Sequence, residues 1–416
     1  MRILISSNGP ATPTGYGTQG KGLLKALKSL GHELDYYAWY GLEGGIIGLG
    51  DGVKMYPRVR HPYGGDAGMI ASEAKSDLVI ALQDIWPLPV GFTETVPVPW
   101  LGWFPIDGDP MSPPVQAMAE TCPYPVVYSQ HGEKVCRAAG LYAYYIPLAI
   151  DTDVFSPGDK LLARQRLGIP ADKFMVSMVA ANKGYPCRKS FPEALAGFKA
   201  FHDLFPDSFL YMHTEKFPRG SGIDLADLMR LVGLTDEDVK FVNISDYLIG
   251  LSDDYLADVY RASDVLLAPS MGEGFGLPIL EAQACGCPVI TQDITSMSEI
   301  TLHGVAIEPL QPFYSPLGVW HYIASIPAIA EALAAVHDGH ETPEWKANAQ
   351  MARSIIVDTY SWPAVTERHW KPMLDRIADD LGLDKPQPTQ ASPSENGTRD
   401  KYLTRDDLKV VKSGTC

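Results

Sequence analysis

The chain has 416 residues, of which 46% are hydrophobic and 20% are charged, a balance typical of globular enzymes and incompatible with a wholly disordered protein. Its formal net charge of -16 at pH 7 argues against general nucleic-acid binding, which requires a basic surface to neutralise phosphates. At roughly 100–200 residues per domain, the length predicts two domains or slightly more.

The first 150 residues alternate short apolar runs with helical stretches. The glycine-, proline- and threonine-rich segment 9–20 predicts a loop, and leucines at helical spacing predict a helix over 21–30. Strands are predicted at residues 2–7, 34–39, 77–82, 98–104 and 126–128. This alternation predicts a parallel sheet covered by helices on both faces.

The turn-forming segment 146–157 predicts a hinge between an N-terminal domain, 1–150, and a C-terminal domain, 151–360. Strands are then predicted at 174–180, 209–213, 239–242, 265–268 and 288–291, and helices at 191–205, 256–261 and 278–285. Residues 361–383 predict a C-terminal helix that packs back on the N-terminal domain. The proline-, serine- and threonine-rich segment 384–416 predicts a flexible tail.

Cysteine spacing and apolar runs favour a cytoplasmic location. None of the six cysteines forms a Cys-x-x-Cys pair, which indicates reduced thiols rather than a zinc site or a disulfide framework. No apolar run reaches the ~20 residues that a membrane span needs. We therefore expect a cytoplasmic protein that can contact a membrane only peripherally.

A glycine-rich stretch at 272–281 follows a predicted strand and opens a helix. Unpartnered N–H groups at such a helix start, together with the helix dipole, favour an anion, and Gly274 and Gly276 let the backbone approach a phosphate. Glu273 and Glu281 flank the loop, and each carboxylate can accept hydrogen bonds from a sugar diol. If one glutamate binds a hexose, the other binds a ribose and the glycine loop binds the phosphates between them, the ligand is a nucleotide sugar. The competing interpretation is a glycine turn with an exposed helical glutamate.

The sequence EGFGLPILEA at 273–282 resembles the Glu-x7-Glu motif of the retaining glycosyltransferase family 4, also called glycosyl transferases group 1. The preceding stretch 253–270 and the hinge are similar to those of the family, although Leu148-Ala149 replaces its usual Asn-Gly. The resemblance covers roughly residues 1–380. It implies the GT-B fold, an α/β fold with two Rossmann-like, doubly wound parallel-sheet domains facing a cleft. The N-terminal domain would then bind the acceptor and the C-terminal domain the nucleotide-sugar donor.

The loop 181–194 offers the positive charge that a leaving diphosphate needs. Family members often carry an arginine where this chain has Lys183 and a lysine where it has Lys189. Since lysine lacks the bidentate fork of arginine, either Lys183 or Arg188 could do the work of that arginine. A solvated basic loop is the structural alternative. In the family, helix N-termini and such cations replace a metal, so we expect no metal and no cofactor besides the co-substrate.

Asp107 follows a predicted strand, at a place where related enzymes often carry a histidine that contacts the transferred sugar. We predict this role for Asp107, against the alternative of a turn-forming aspartate before Gly108. The resemblance thus assigns catalytic roles to Glu273, Asp107 and Lys189. It assigns donor binding to Lys183, Arg188, Lys189, Gly274, Phe275, Gly276, Leu277, Glu281, Gly15 and Gly17. The two N-terminal glycines are equally consistent with a structural turn.

The predicted function is retaining transfer of a hexose from a nucleotide-diphosphate sugar to a hydroxyl of a glycan, lipid, protein or small molecule. Alternatives are a nucleotide-sugar epimerase, a pyridoxal-phosphate-dependent phosphorylase-like enzyme and a non-catalytic sugar-nucleotide binding protein. A transferase acting on nucleic acid is opposed by the acidic charge.

Overall fold

A computed structural model describes residues 1–184, 186–218, 220–385 and 409–410. The chain divides into two compact units. Unit 1 comprises Met1–Ile106, Met111–Ala149 and the described part of Trp362–Cys416, and unit 2 comprises Asp107–Pro110 and Ile150–Ser361. The short segment around Asp107 therefore belongs to unit 2, although the sequence places it within the range of the N-terminal domain.

The strands are β1 (Arg2–Asn8), β2 (Glu33–Tyr40), β3 (Ile47–Gly48), β4 (Lys54–Pro57), β5 (Leu78–Leu82), β6 (Trp100–Phe104), β7 (Tyr124–Val127), β8 (Tyr144–Tyr145), β9 (Phe174–Val179), β10 (Ser208–His213), β11 (Val239–Phe241), β12 (Val265–Ala268), β13 (Val289–Gln292), β14 (Gly304–Ile307), β15 (Pro309–Tyr314), β16 (Trp320–Ala324) and β17 (Lys409–Val410).

The helices are α1 (Gly15–Ser29), α2 (Ala67–Ala74), α3 (Phe92–Thr95), α4 (Pro113–Ala119), α5 (Gln130–Ala138), α6 (Lys160–Leu167), α7 (Phe191–His202), α8 (Leu225–Val232), α9 (Ile244–Ile249), α10 (Asp253–Ala262), α11 (Leu277–Ala284), α12 (Met297–Ile300), α13 (Ile326–Gly339), α14 (Pro343–Tyr360), α15 (Trp362–Val365) and α16 (Lys371–Leu381). A 3-10 turn covers Pro62–Gly64 and a π-helical turn covers Thr366–Trp370.

Unit 1 is built on a sheet in the order β17-β3-β4-β2-β1-β5-β6-β7-β8. The central strand β1 pairs in parallel with β2 and β5, and its residues Ile3, Leu4 and Ile5 are fully buried. A strand buried on both faces reads as a continuous apolar run, which is why the sequence identifies it. With the parallel sheet of unit 2, this arrangement confirms the predicted α/β class.

Helix α1 begins earlier than the sequence indicates. The sequence predicts that the glycine-rich loop reaches residue 20, but Thr14 caps the helix by accepting a hydrogen bond from Gly17 N–H. Close packing explains the glycines: a Cβ on Gly17 would lie 2.3 Å from the carbonyl oxygen of Thr12, and one on Gly20 would lie 2.1 Å from the Tyr36 hydroxyl. The predicted loop over 15–20 and the predicted helix start at 21 are therefore wrong.

The segment expected to form one C-terminal helix is interrupted. Helix α15, the π-helical turn and α16 follow one another, and the interruption lies just before Pro372. Proline has no N–H group for the helical ladder, so the preceding turn cannot keep regular α-helical bonding. Trp370 is fully buried in unit 1, where its ring packs edge-on against Trp103 at 4.8 Å between centroids.

Unit 2 is built on a parallel sheet in the order β11-β10-β9-β12-β13-β14. The chain runs from β9 outward to β11 and then returns to the other side of β9 with β12. The strand order therefore reverses between β9 and β12. In doubly wound sheets, ligands bind at the carboxyl ends of the strands at this reversal.

Unit 2 also contains a two-stranded antiparallel hairpin, β15–β16, that the sequence analysis does not predict. The predicted tail 384–416 lies outside the described residues, apart from 384–385 and from β17, which pairs with β3. Of the helices that the structure describes, none combines the length and the apolar character needed to cross a membrane.

Truncating Trp370 tests its place in unit 1. We expect Trp370→Ala to lower the free energy of unfolding by about 3–5 kcal/mol, because a fully buried aromatic side chain leaves a cavity. Trp86, which is 48% exposed, is the matched control, and Trp86→Ala should change stability by about 0.5 kcal/mol or less. Urea denaturation measures both, and equal losses would contradict this packing.

Candidate active site

Three charged side chains meet where the strand order of unit 2 reverses. Arg188 and Lys189 lie on the loop after β9, and Glu273 lies on the loop after β12. Arg188 Nη1 donates to Glu273 Oε2 at 3.0 Å, and Lys189 Nζ donates to Glu273 Oε1. Arg188 also donates to the carbonyl oxygen of Gly272. The two cations thus hold the Glu273 carboxylate and its loop.

The electrostatics of this cluster favour an ionised Glu273. Burial by itself would raise the pKa of Glu273, but the charges of Arg188 and Lys189 outweigh burial and lower it to about 2. Burial, helped by Arg188, lowers the pKa of Lys189, and the neighbouring Glu273 opposes that shift. At neutral pH, Glu273 is therefore a carboxylate and a poor acceptor of protons.

Backbone strain surrounds the same cluster. Ser190, directly after Lys189, and Thr295 both have left-handed backbone, with φ values of 54° and 51°. Such conformations cost of order 1–3 kcal/mol and persist where the surrounding structure enforces them. The Thr295 hydroxyl accepts a hydrogen bond from Glu273 N–H, and the Ser296 hydroxyl donates to the carbonyl oxygens of Glu273 and Phe275.

Asp107 joins this cluster from the short segment that belongs to unit 2. Its Oδ2 lies 3.5 Å from Arg188 Nη1, and its Oδ1 lies 3.9 Å from His321 Nε2. Burial opposes ionisation of Asp107, but Arg188 and His321 lower its pKa to about 2. His321, which lies on β16, is not among the residues predicted from the sequence. Two short apolar runs lie on either side of the turn-forming segment Ser315–Gly318, and this pattern could have predicted the hairpin that carries His321.

The glycine loop leads into α11, whose N-cap residue is Gly276, with φ of 105° and no side-chain capping bond. The predicted donor-binding residues Gly274 and Leu277 lie on this loop and at the helix start. Phe275 is buried and packs on Tyr360 at 6.0 Å between ring centroids, so only its backbone could face a ligand. The uncapped N–H groups and the helix dipole favour an anion here.

Glu281, on the first turns of α11, occupies a different environment from Glu273. It is 6% exposed, and its Oε2 accepts a hydrogen bond from the Tyr260 hydroxyl at 2.8 Å. Burial raises the pKa of Glu281 to about 8, although the bond from Tyr260 partly opposes this shift. Burial therefore favours the uncharged form of Glu281 up to a higher pH than is usual for a glutamate.

The remaining predicted site residues are Lys183, Gly15 and Gly17. Lys183 is exposed on the loop after β9, and no ion pair of its side chain occurs within the described residues. Gly15 and Gly17 lie in the first turn of α1, in unit 1. Of the two basic residues between which the sequence could not decide, Arg188 is the one that contacts Glu273. Among the side chains that the structure describes, no group of three or more His, Cys, Asp or Glu residues could hold a metal ion.

Comparison with known proteins bears on the same region. Residues 220–316 match the family model described as Glycosyl transferases group 1. The matched residues contain Glu273, Glu281 and the glycine loop between them, so the resemblance seen in this motif is confirmed.

Curated proteins that are similar to this chain include two named D-inositol 3-phosphate glycosyltransferase. The protein of Stackebrandtia nassauensis is 34% identical over 163 residues, which are 38% of this chain and 35% of that protein. The protein of Mycolicibacterium smegmatis is 33% identical over 160 residues, 38% of this chain and 33% of that protein. The match thus spans about a third of the length of these relatives.

Solved structures show the fold of this chain. Sucrose-phosphate synthase from Thermosynechococcus elongatus superposes with a TM-score of 0.72 at 18% identity, covering 91% of this chain and 99% of that one. Anabaena HepE in complex with UDP-glucose gives a TM-score of 0.66 at 17% identity, with coverages of 92% and 99%. These similarities confirm the predicted GT-B fold.

The unusual pKa of Glu281 predicts a pH dependence of stability. Its value of about 8 lies above the ordinary 4.5, so between these pH values the native state binds more protons than the unfolded state. This residue therefore makes the free energy of unfolding fall as pH rises, by up to about 1.4 kcal/mol per pH unit. Glu281→Gln still accepts a bond from Tyr260 but cannot ionise.

We expect the free energy of unfolding of the unmodified chain, minus that of Glu281→Gln, to decrease as pH rises from 4.5 to about 8. Urea denaturation across the same pH range measures both slopes. All other titrating groups are common to the two proteins and cancel in the difference. Parallel pH profiles would show that Glu281 titrates normally.

Proposed function

We propose that this protein transfers a hexose from a nucleotide-diphosphate sugar to an acceptor hydroxyl, with retention of anomeric configuration and without a metal. The observation that carries the proposal is the position of Glu273. It lies between Arg188 and Lys189 at the strand-order reversal, one residue from the glycine loop that opens α11. The family-model match over residues 220–316 and the fold agree with it.

The donor would bind along this edge of unit 2. The diphosphate would lie at the uncapped start of α11, within reach of Arg188 and Lys189. Glu281, eight residues after Glu273, would accept hydrogen bonds from the ribose diol, because Tyr260 occupies only one of its oxygens. Glu273 would position the hexose. UDP-glucose in the complex of Anabaena HepE makes UDP-sugars the first donors to test.

In the proposed reaction, the bond between the anomeric carbon and the diphosphate oxygen breaks, and the acceptor oxygen bonds to the same face of that carbon. The departing phosphate takes the proton of the acceptor hydroxyl, so atoms and charge balance. The low pKa of Glu273 supports this assignment, since a carboxylate with a pKa of about 2 is poorly suited to take that proton. Arg188 and Lys189 would stabilise the charge developing on the diphosphate.

The acceptor would be bound by unit 1, the location that the GT-B fold suggests. The curated relatives are named for D-inositol 3-phosphate, so this compound belongs in the first acceptor panel, beside simple sugars and glycolipids. The described cysteines are all free and buried, which supports a cytoplasmic location for the reaction.

Replacing the central carboxylate tests the activity. We expect Glu273→Gln to lower the transfer rate at least about 100-fold, because the neutral amide no longer orders the two cations or the hexose. Glu331→Gln, an exposed glutamate on α13, is the matched control and should keep full activity. Chromatography of sugar transferred to the acceptor panel, with EDTA present, measures the rate.

Two results would contradict the proposal. Full transfer by Glu273→Gln would remove this residue from the reaction. Conversion of the nucleotide sugar to its epimer without any acceptor would instead identify an epimerase with the same fold.

A further inference from the structure

The β15–β16 hairpin is fixed to the loop that carries Glu273. The N–H group of Tyr322 donates to the carbonyl oxygen of Met271 at 2.9 Å, and that of Trp320 donates to the carbonyl oxygen of Asp109 at 3.0 Å. These bonds lie on either side of His321 in the sequence. They therefore fix the position of the His321 side chain relative to both segments.

His321 approaches the site closely because residue 272 is glycine. A Cβ on Gly272 would lie 3.2 Å from His321 Cδ2 and 2.3 Å from the carbonyl oxygen of Asp107. The second distance is shorter than any real contact, so no side chain fits at position 272. The glycine thus lets the hairpin and the Asp107 segment both lie against the Glu273 loop.

His321 is buried, yet one of its ring nitrogens lacks a hydrogen-bond partner. The residue is 5% exposed, and its Nε2 forms no hydrogen bond to any described residue. An unsatisfied buried polar atom is rare in native proteins, because removing it from water is costly, and each such atom calls for an explanation. The Nε2 atom faces Asp107, at the edge of the cluster that holds Glu273.

The separation of the two groups suits a single hydroxyl. Asp107 Oδ1 and His321 Nε2 are 3.9 Å apart, too far for a direct bond. An oxygen placed about 2.8–3.0 Å from both atoms would bridge them. It would donate its proton to the Asp107 carboxylate, which can only accept, and accept a bond from His321 in the tautomer that carries the proton on Nε2.

The charges of the cluster favour an uncharged group at this point. The Asp107 carboxylate disfavours a phosphate oxygen, and Arg188, 3.5 Å from that carboxylate, disfavours a cation. Asp107 and Glu273 together also balance the charges of Arg188 and Lys189. A sugar hydroxyl meets these requirements, whereas the diphosphate does not.

We propose that His321 and Asp107 together bind a hydroxyl group of the transferred hexose, which makes the β15–β16 hairpin a determinant of sugar binding. This inference rests on the proposed function, because it takes the nucleotide sugar as the ligand of unit 2. It assigns a role to a residue outside the Glu273–Glu281 motif, on a segment that the motif does not predict.

The test compares binding of a nucleotide diphosphate with and without its sugar. The probes are UDP and UDP-glucose, or the corresponding GDP, ADP or dTDP pair that binds the unmodified chain best in calorimetry. His321→Leu and His321→Phe replace the ring nitrogen with apolar groups and keep the site filled. We expect each to weaken binding of the nucleotide sugar roughly three- to tenfold, the loss of one hydrogen bond, while the Kd of the nucleotide alone stays unchanged.

Two further variants separate this role from a structural one. His321→Gln can still form a hydrogen bond to the hydroxyl and should keep the Kd of the nucleotide sugar within about threefold of that of the unmodified chain. His303→Leu removes a second histidine of unit 2 that is equally buried, at 5% exposure, but packs against Trp345. It should leave the ratio of the two Kd values unchanged.

The outcomes distinguish this inference from the proposed function. The role of His321 would be overturned if an apolar variant that folds binds both ligands equally more weakly, or binds both as tightly as the unmodified chain does. Either result would leave the proposed function standing. An unmodified chain that binds none of the nucleotides would overturn the proposed function and this inference with it.

Discussion

The pairing of Glu273 with Arg188 and Lys189 is the constraint on which the site depends. A carboxylate that is 8% exposed would be costly without partners, and two cations on a neighbouring loop offset that cost. Because the cations follow β9 and the carboxylate follows β12, the pairing joins the two loops at the point where the strand order reverses. Removing the Glu273 carboxylate would leave Arg188 and Lys189 close together without the counter-charge that joins their loop to the loop after β12.

The same loop and helix place a second carboxylate in an opposite environment. Glu273 has a pKa of about 2 because two cations face it. Glu281 has a pKa of about 8 because burial raises it and because its carboxyl group contacts the neutral hydroxyl of Tyr260 rather than a cation. One motif therefore presents a permanent charge at one end and a readily protonated carboxyl group at the other. This difference suits a long ligand whose parts differ in charge, with an anionic centre and uncharged hydroxyl groups on both sides.

Much of this arrangement could be predicted from the sequence, since β9 and β12 are apolar runs followed directly by basic or glycine-rich residues. The contacts of Asp107 and His321 could not be predicted. They depend on hydrogen bonds that join the β15–β16 hairpin to segments far away in the sequence. The start of α1 was also missed. Its glycines resemble a flexible loop, and only the close approach of Thr12 shows why Gly17 is needed within a helix. The local pattern of apolar and glycine residues predicts which elements form. The exact residues at which a helix or loop begins depend on tertiary packing.

Binding of nucleotide sugars to the Arg188–Lys189–Glu273 cluster is the central claim, and thermal unfolding tests it most directly. The unmodified chain and Arg188→Ala are heated with UDP-, GDP-, ADP- and dTDP-sugars in EDTA. At a hundred times its dissociation constant, a ligand stabilises the native state by about 2.7 kcal/mol, which shifts the unfolding temperature by a few degrees. The account predicts such a shift for one nucleotide class in the unmodified chain and a much smaller one in Arg188→Ala. No shift with any sugar nucleotide, or an equal shift in both proteins, would contradict it.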